Sequence, residues 1–276
     1  MLFRSHDTVL TLVDQTQQNA QAWNDLLSVS GGALELLKCS CHILQWQFTS
    51  QGAPILVPTH EYLQSKLQVQ DRHSMNETHS LQLLSAYDAH KTLGHYKAPA
   101  SCLEQFRQLK KKSDEVTAFL WSCPLTRLES WTFYYACYLP SVCYPLSCSS
   151  LTRKQLDDIQ RKAMSIMVAR CGYNRNTKKE ILYGPLELGG ANFRHLYVQQ
   201  GVSQVTTFLK HWRLQSTAGK LLKIAVAWFQ QQAGVSFSIL HDVTTPLPHL
   251  ESKWLSSLRT FLSDTGFFYP EDSAEV

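Results

Sequence analysis

The residues able to do chemistry fall into three groups. Cys39-Ser40-Cys41-His42 sets two thiols and an imidazole within four positions. On a strand, Cys39 and Cys41 would share one side, but a spacing of two is atypical of zinc sites. No Cys-x-x-Cys pair occurs among the 8 cysteines, so they read as reduced, buried thiols of an intracellular protein. The histidines at 195, 211, 241 and 249 are scattered, with no nucleophile or paired carboxylate at a useful spacing. The third group is cationic: Lys110-Lys111-Lys112, then Arg153, Lys154, Arg161 and Lys162, and upstream Lys91, His95 and Lys97 around Gly94. Such sets suit contacts to phosphates, and solvated helix faces would produce them equally well.

The charge distribution sharpens this. The formal net charge is only +4, yet residues 102–180 hold 13 Lys and Arg against 7 Asp and Glu. Residues 1–101 are slightly acidic and residues 181–276 are neutral. Phosphate contacts are therefore expected in the middle third. No apolar run reaches the ~18 residues that a membrane span needs, and Arg4, His6 and Asp7 interrupt the place of a signal-peptide core. The expectation is an intracellular protein, nuclear or cytoplasmic, not secreted and without a membrane partner.

The elements that must position these residues begin with Asn19–Phe48. Ala20, Trp23, Leu26 and Leu27 recur at helical spacing, with Asn19, Gln21, Asn24 and Asp25 on the other face. Ser30-Gly31-Gly32 stops that helix. Leu34 and Leu36 then alternate with their neighbours toward Lys38, predicting a short strand, and Ile43–Phe48 predicts a second. Ile55-Leu56-Val57 is an edge-strand candidate, and Leu83–Leu93 a further strand. From Cys102 the pattern turns helical. Leu103 to Leu120 predicts one helix. Leu128, Trp131, Tyr134, Tyr135 and Tyr138 predict a second, ending before Pro140. That aromatic stripe could stack bases, but helical spacing between two other helices makes it core. Ser150 or Thr152 caps a third helix, which Gly172 stops, and Thr177-Lys178-Lys179-Glu180 reads as a capping box for a short one. Three more helices follow, with one tryptophan each (Trp212, Trp228, Trp254) predicted to pack together.

An amphipathic helix, a glycine turn and the series Gly31, Leu34, Leu36, Lys38 resemble motif D of reverse transcriptases, especially those of retrotransposons lacking long terminal repeats. Asp88 to His95, with Leu93-Gly94, resembles the family's next block, the primer grip. Gly184-Pro185 with Leu188-Gly189-Gly190-Ala191-Asn192-Phe193 is similar to a Gly-Gly stretch found after the thumb. The resemblance implies the end of a palm followed by a thumb that clamps a template-primer. It also implies three carboxylates holding two magnesium ions. Two of them should come from an aromatic-x-Asp-Asp turn before the motif D helix. Ser5-His6-Asp7-Thr8 matches that position with His6 in place of the first aspartate, and Val13-Asp14-Gln15-Thr16 is a poorer match. A neutral imidazole is a poor ligand for a hard cation. The third carboxylate, the fingers and most of the palm have no counterpart. Lys38 matches the lysine that would donate a proton to the departing pyrophosphate.

The resulting expectation is an α+β chain: a small mixed or antiparallel sheet with one helix to about residue 100, then a mainly helical region. The predicted segments are a palm-like one at 1–100, thumb-like helices at 101–190, C-terminal helices at 191–269 and an acidic tail at 270–276. The expected function is that of a fragment of an RNA-directed DNA polymerase of the retrotransposon type, catalytically incomplete. It would keep template-primer contacts through Lys91, His95, Lys97, Lys110 to Lys112, Arg153, Lys154, Arg161 and Lys162. Asp7 and Lys38 would be catalytic relics. No cofactor is expected, magnesium being implied only for an intact member. The alternative is a helical protein-interaction module with no nucleic-acid role.

Overall fold

The computed structural model describes residues 6–32, 34–52, 54–57, 67–70, 78–247 and 253–267. The expected tail at 270–276 lies outside these, as does Ser5 of the motif around Asp7. The chain is α+β and divides into two compact units. The first holds residues 1–91 and 96–101; the second holds 92–95 and 102–276.

In the first unit, helix α1 runs from His6 to Val29 and ends where Gly31 takes φ 81°. A left-handed residue just past a helix end suits glycine, as predicted. Among the described residues eight short strands follow, the last two running into residues 92–95: β1 (Ser40–His42), β2 (Gln45–Phe48), β3 (Pro54–Val57), β4 (Gln68–Gln70), β5 (Thr78–Ser80), β6 (Gln82–Leu84), β7 (His90–Thr92) and β8 (His95–Lys97). They pair as four separate two-stranded ribbons: β1 with β6 in parallel, β2 with β3 and β4 with β5 antiparallel, and β7 with β8. A small core of Val13, Leu36, Ile43, Val57, Leu67, Val69 and Leu81 holds this unit together.

Three expectations for this unit are corrected. The predicted strand ending at Lys38 is a 3-10 turn, Leu36–Lys38, closed by a bond from the Lys38 N–H to the Glu35 carbonyl at 2.9 Å. The predicted strand Leu83–Leu93 is two strands. The Asp88 carboxylate accepts a bond from the Ser85 N–H at 3.0 Å and turns the chain between them. The third correction concerns the faces of α1. Asn24 of the polar side packs inward, only 5% exposed, while Trp23 and Leu26 of the predicted apolar face are 57% and 59% exposed and Ala20 of that face packs on the core. Gln17 and Gln21 explain the inversion. The Gln68 N–H donates to Gln17 Oε1 at 2.7 Å and the Gln70 N–H to Gln21 Oε1 at 2.9 Å. Gln17 Nε2 donates to the Gln68 carbonyl, and Asn24 Nδ2 to the Gln70 carbonyl at 2.9 Å. The side-chain amides stand in for a neighbouring strand.

The second unit is helical: α2 (Leu103–Ser122), α3 (Arg127–Phe133), α4 (Leu139–Cys143), α5 (Arg153–Arg170), α6 (Lys179–Tyr183), α7 (Leu196–Arg213), α8 (Thr217–Ala233) and α9 (Lys253–Thr265). Between α3 and α4 the chain stays helical through Tyr134–Tyr138, as a π turn. The helix was expected to stop before Pro140. Proline lacks the N–H that would bond the carbonyl four residues back, and a widened turn is one way to accommodate that loss. Tyr134 and Tyr138 are buried and Trp131 stacks on Phe193 with centroids 4.7 Å apart, so these three are core, while Leu128 and Tyr135 of the same stripe are exposed.

Two cores lie within this unit. The larger gathers α2, the aromatic helix, α5 and the start of α7; the smaller gathers α7, α8, α9 and Ile239 to Val243. Val205 on α7 packs against both. The stretch that the sequence divides near residue 190 is thus continuous. The three C-terminal helices share the smaller core, as expected; Trp212 and Trp254 pack against it, while Trp228 is exposed.

Candidate nucleic-acid interface

Helices α2 and α5 lie side by side because their apolar stripes meet, Leu109 and Leu120 against Leu156, Ile159 and Ala163. Ser113 Oγ donates to the Ile159 carbonyl at 2.7 Å within the contact. Thr152 caps α5 in a full capping box with Gln155, which fixes the phase of the helix. That phase brings Asp158 and Lys162 to the α2 side. Lys110 Nζ bonds to Asp158, which Arg161 also approaches at 3.4 Å, and Lys162 reaches Asp114 at 3.2 Å. Lys112 donates to the Ser141 carbonyl at 3.0 Å. The bond from Lys110, followed by the fields of Lys110, Arg161 and Lys162, holds the Asp158 carboxyl below its ordinary range.

The expected phosphate-contacting set therefore splits. Lys110 and Lys162 stitch α2 to α5, Arg161 pairs with Asp158 within α5, and the charge of all three is already opposed. Lys111 and Lys154 are exposed, and Arg153, also exposed, lies over the Tyr197 ring at 5.5 Å.

A cleft of about 660 Å³ opens on the other side of α5. Its walls are α5 and the segment from Arg175 to Tyr183, with His195 at one end. Met164, Val168 and Leu182, all buried, make an apolar floor. Gln160, also buried, accepts from the Leu196 N–H at 3.0 Å and donates to Tyr183 Oη at 3.4 Å. His195 Nε2 lies 2.9 Å from Asp157 Oδ1, while its Nδ1 accepts from the Tyr197 N–H at 3.2 Å. The ring is thereby fixed as the Nε2–H tautomer. Burial lowers the His195 pKa; Asp157 opposes this, and the fields of Arg153 and Lys179 add to the lowering. With both ring nitrogens engaged, His195 has no lone pair left to act as a base. It caps α7 instead.

The Gly184–Phe193 stretch shapes this cleft. The Ala191, Asn192 and Phe193 N–H groups donate back to the carbonyls of Ile181, Gly184 and Leu182 at 2.7–2.9 Å. Gly190 lies so close to Gly184 that a Cβ at 190 would sit 2.2 Å from the Gly184 carbonyl oxygen. The glycines thus permit a backbone contact, and the loop closes behind Tyr183 and His195.

Other expected site residues lie elsewhere. Lys38 is 82% exposed, 3.9 Å from Glu35, at the end of the 3-10 turn. Asp7 falls in the first turn of α1 rather than in a turn between strands. No group of three His, Cys, Asp or Glu able to hold a metal occurs among the described residues. In the β7–β8 hairpin, Lys91 lies over Tyr96 at 5.8 Å and Lys97 is exposed. His95 turns inward, its Nε2 3.4 Å from Ser149 Oγ, and so offers little to a primer backbone.

Sequence reasoning missed the cleft. Lys178 and Lys179 were visible only as the middle of a capping box. The short helix forms, but Lys178 is its N-cap residue and no side chain caps it. Nothing in the spacing linked Arg175, Lys179, Asp157 and His195.

Comparison of the chain with models of known families, with curated proteins and with solved structures returns no match. No helix among the described residues is long and apolar enough to cross a membrane.

Proposed function

We propose that this chain is a piece of a retrotransposon-type reverse transcriptase that keeps contacts to a template-primer and lacks polymerase chemistry. The family part of this reading rests on the ordered sequence landmarks. The binding part rests on one observation: the middle third carries exposed cations outside the α2–α5 ion pairs, Lys111, Arg153 and Lys154 on α2 and the start of α5, and Arg175, Lys178 and Lys179 along the cleft beside α5. The absence of catalysis follows from Asp7, which has a histidine before it and sits within a helix.

The test is binding of the purified chain to a labelled RNA–DNA primer-template, titrated across salt. Backbone binding releases counterions, so the affinity should fall steeply as salt rises. Charge reversal at Arg153 and Lys154 should flatten that slope, because neither residue stitches α2 to α5. Absence of binding at low salt would overturn the reading.

A protein-interaction role is the second reading. Leu221, Ile224 and Trp228 favour it, being exposed at helical spacing along α8. A chain that ignores nucleic acid at every salt concentration but self-associates, and becomes monomeric with Trp228→Lys, would support it.

A further inference from the structure

We propose that the cleft between α5 and the 175–183 segment is a binding site for a nucleotide, its phosphate held at Arg175, Lys178 and Lys179 and its base laid on the floor beside Tyr183. The size is right. Sites for small ligands run from about 300 to about 1,000 Å³, are largely apolar inside and carry a few convergent polar groups, and this cleft is about 660 Å³. Its rim is cationic and its floor apolar.

The charges are available. Arg175, Lys178 and Lys179 have no acidic partner within ion-pair distance among the described residues, in contrast to Arg161 in the same cleft, which pairs with Asp158, and to Lys110 and Lys162, which pair between α2 and α5. The lone acid in the cleft, Asp157, is held by His195. The neutral imidazole leaves the Asp157 charge in place, so three cations against one carboxylate give a net positive field beside an aromatic ring, the combination that phosphate plus base requires. The ring of Tyr183 is steadied by an edge contact to His195, with centroids 5.0 Å apart, and by the bond from Gln160. The cleft also lacks the parts of a hydrolase. His195 spends both nitrogens, and Ser165 Oγ donates to the Lys162 carbonyl. The proposal is capture of a nucleotide, without chemistry on it.

This inference does not rest on the polymerase reading. The nucleotide can be free or part of a strand, and two probes separate these sources. One is AMP, followed by calorimetric titration; the other is a short fluorescein-labelled single-stranded oligonucleotide, followed by anisotropy with AMP as competitor. Saturable AMP binding that displaces the oligonucleotide would establish a site for free nucleotides as well as strands. Oligonucleotide binding that AMP cannot displace would make the strand the ligand. In either case Lys178→Glu with Lys179→Glu should weaken binding at least about tenfold, the size of one lost charge-assisted bond. Lys111→Glu with Lys154→Glu should leave AMP binding unchanged, whatever it does to a primer-template. The exchanged residues are exposed, so an unaltered thermal melt will show that the fold is intact. Absence of binding by both probes, or equal binding to wild type and to the Lys178/Lys179 variant, overturns the proposal. Loss of primer-template binding with retained AMP binding would sink the polymerase reading alone.

Discussion

The side-chain amide of Gln21 and the main chain of Gln70 bond in both directions, Gln70 N–H to Oε1 at 2.9 Å and Nε2 to the Gln70 carbonyl at 3.4 Å. Gln17 makes the same pair of bonds with Gln68. Residues four apart on a helix are separated by about 6 Å along its axis. Residues two apart on a strand are separated by about 6.6 Å and turn their N–H and C=O to the same edge. Two glutamines at that helical spacing can therefore satisfy one strand edge. The device recurs in the second unit. Gln200 clasps Leu151, accepting its N–H at 3.2 Å and donating to its carbonyl at 2.9 Å, and Gln204 donates to the Ser149 carbonyl at 2.7 Å.

Removing one clasp should leave the Gln70 N–H without its acceptor, since Asn24 reaches only the Gln70 carbonyl. Gln21→Ala is expected to cost about 1 kcal/mol in chemical denaturation, the usual net value of such bonds. It should also speed hydrogen exchange at the Gln70 amide in particular. Unchanged exchange at Gln70 would show that the glutamine does not hold that edge.

The same residues explain where the sequence was legible. Gly31, Gly234 and Gly266 end α1, α8 and α9 with positive φ, and Thr152 caps α5, because each stop or cap is a local event written in one or two residues. The faces of α1 were not legible. Trp23 and Leu26 state a hydrophobic face, yet the inward side is set by glutamines whose partners lie about 50 positions away. The strands hold only three or four residues each, too few for an alternation to declare itself. The cleft failed to show for a related reason. Asp157 and His195 become neighbours through the Gly184–Gly190 backbone contact, which no periodicity encodes.

The β7–β8 turn offers a stabilising change. Leu93 has φ 48° and Gly94 φ 81°, the paired positive angles of a type I′ hairpin. Leucine is strained in that region, and at 85% exposed Leu93 has little packing to lose. Leu93→Asn should raise stability by about 1 kcal/mol in urea unfolding. Gly94→Ala should lower it, since the new Cβ would meet the Tyr144 ring at 3.3 Å in a conformation that alanine resists. A loss on Leu93→Asn would refute this turn geometry.

His195 gives the second unit a dependence on pH. Its neutral form accepts the Tyr197 N–H at Nδ1, and protonation there forfeits the cap. Because its folded pKa lies below the ordinary value near 6.5, the unfolded chain takes up the proton first as pH falls. The stabilisation is therefore complete above about pH 6.5 and declines as pH drops through that value toward the lower folded one. His195→Asn keeps a side-chain oxygen for capping and removes the titration. Urea midpoints between about pH 7 and 5 should fall less for this variant than for the wild type, and equal falls would place the titration elsewhere.

Gly201 tests the packing of α7 on α9. In a helix interior, glycine to alanine ordinarily stabilises by about 0.5–1 kcal/mol, since alanine surrenders less backbone entropy. Here a Cβ would sit 2.1 Å from the Phe261 ring, and both residues are buried. The clash should reverse the sign, with Gly201→Ala costing about 1–3 kcal/mol as overpacked cores do. The two effects can be separated. In a Phe261→Leu background the ring is gone, so the second change should cost much less than in wild type, and the difference measures the coupling of the two sites. Equal costs in both backgrounds would show that the helices do not meet at this pair.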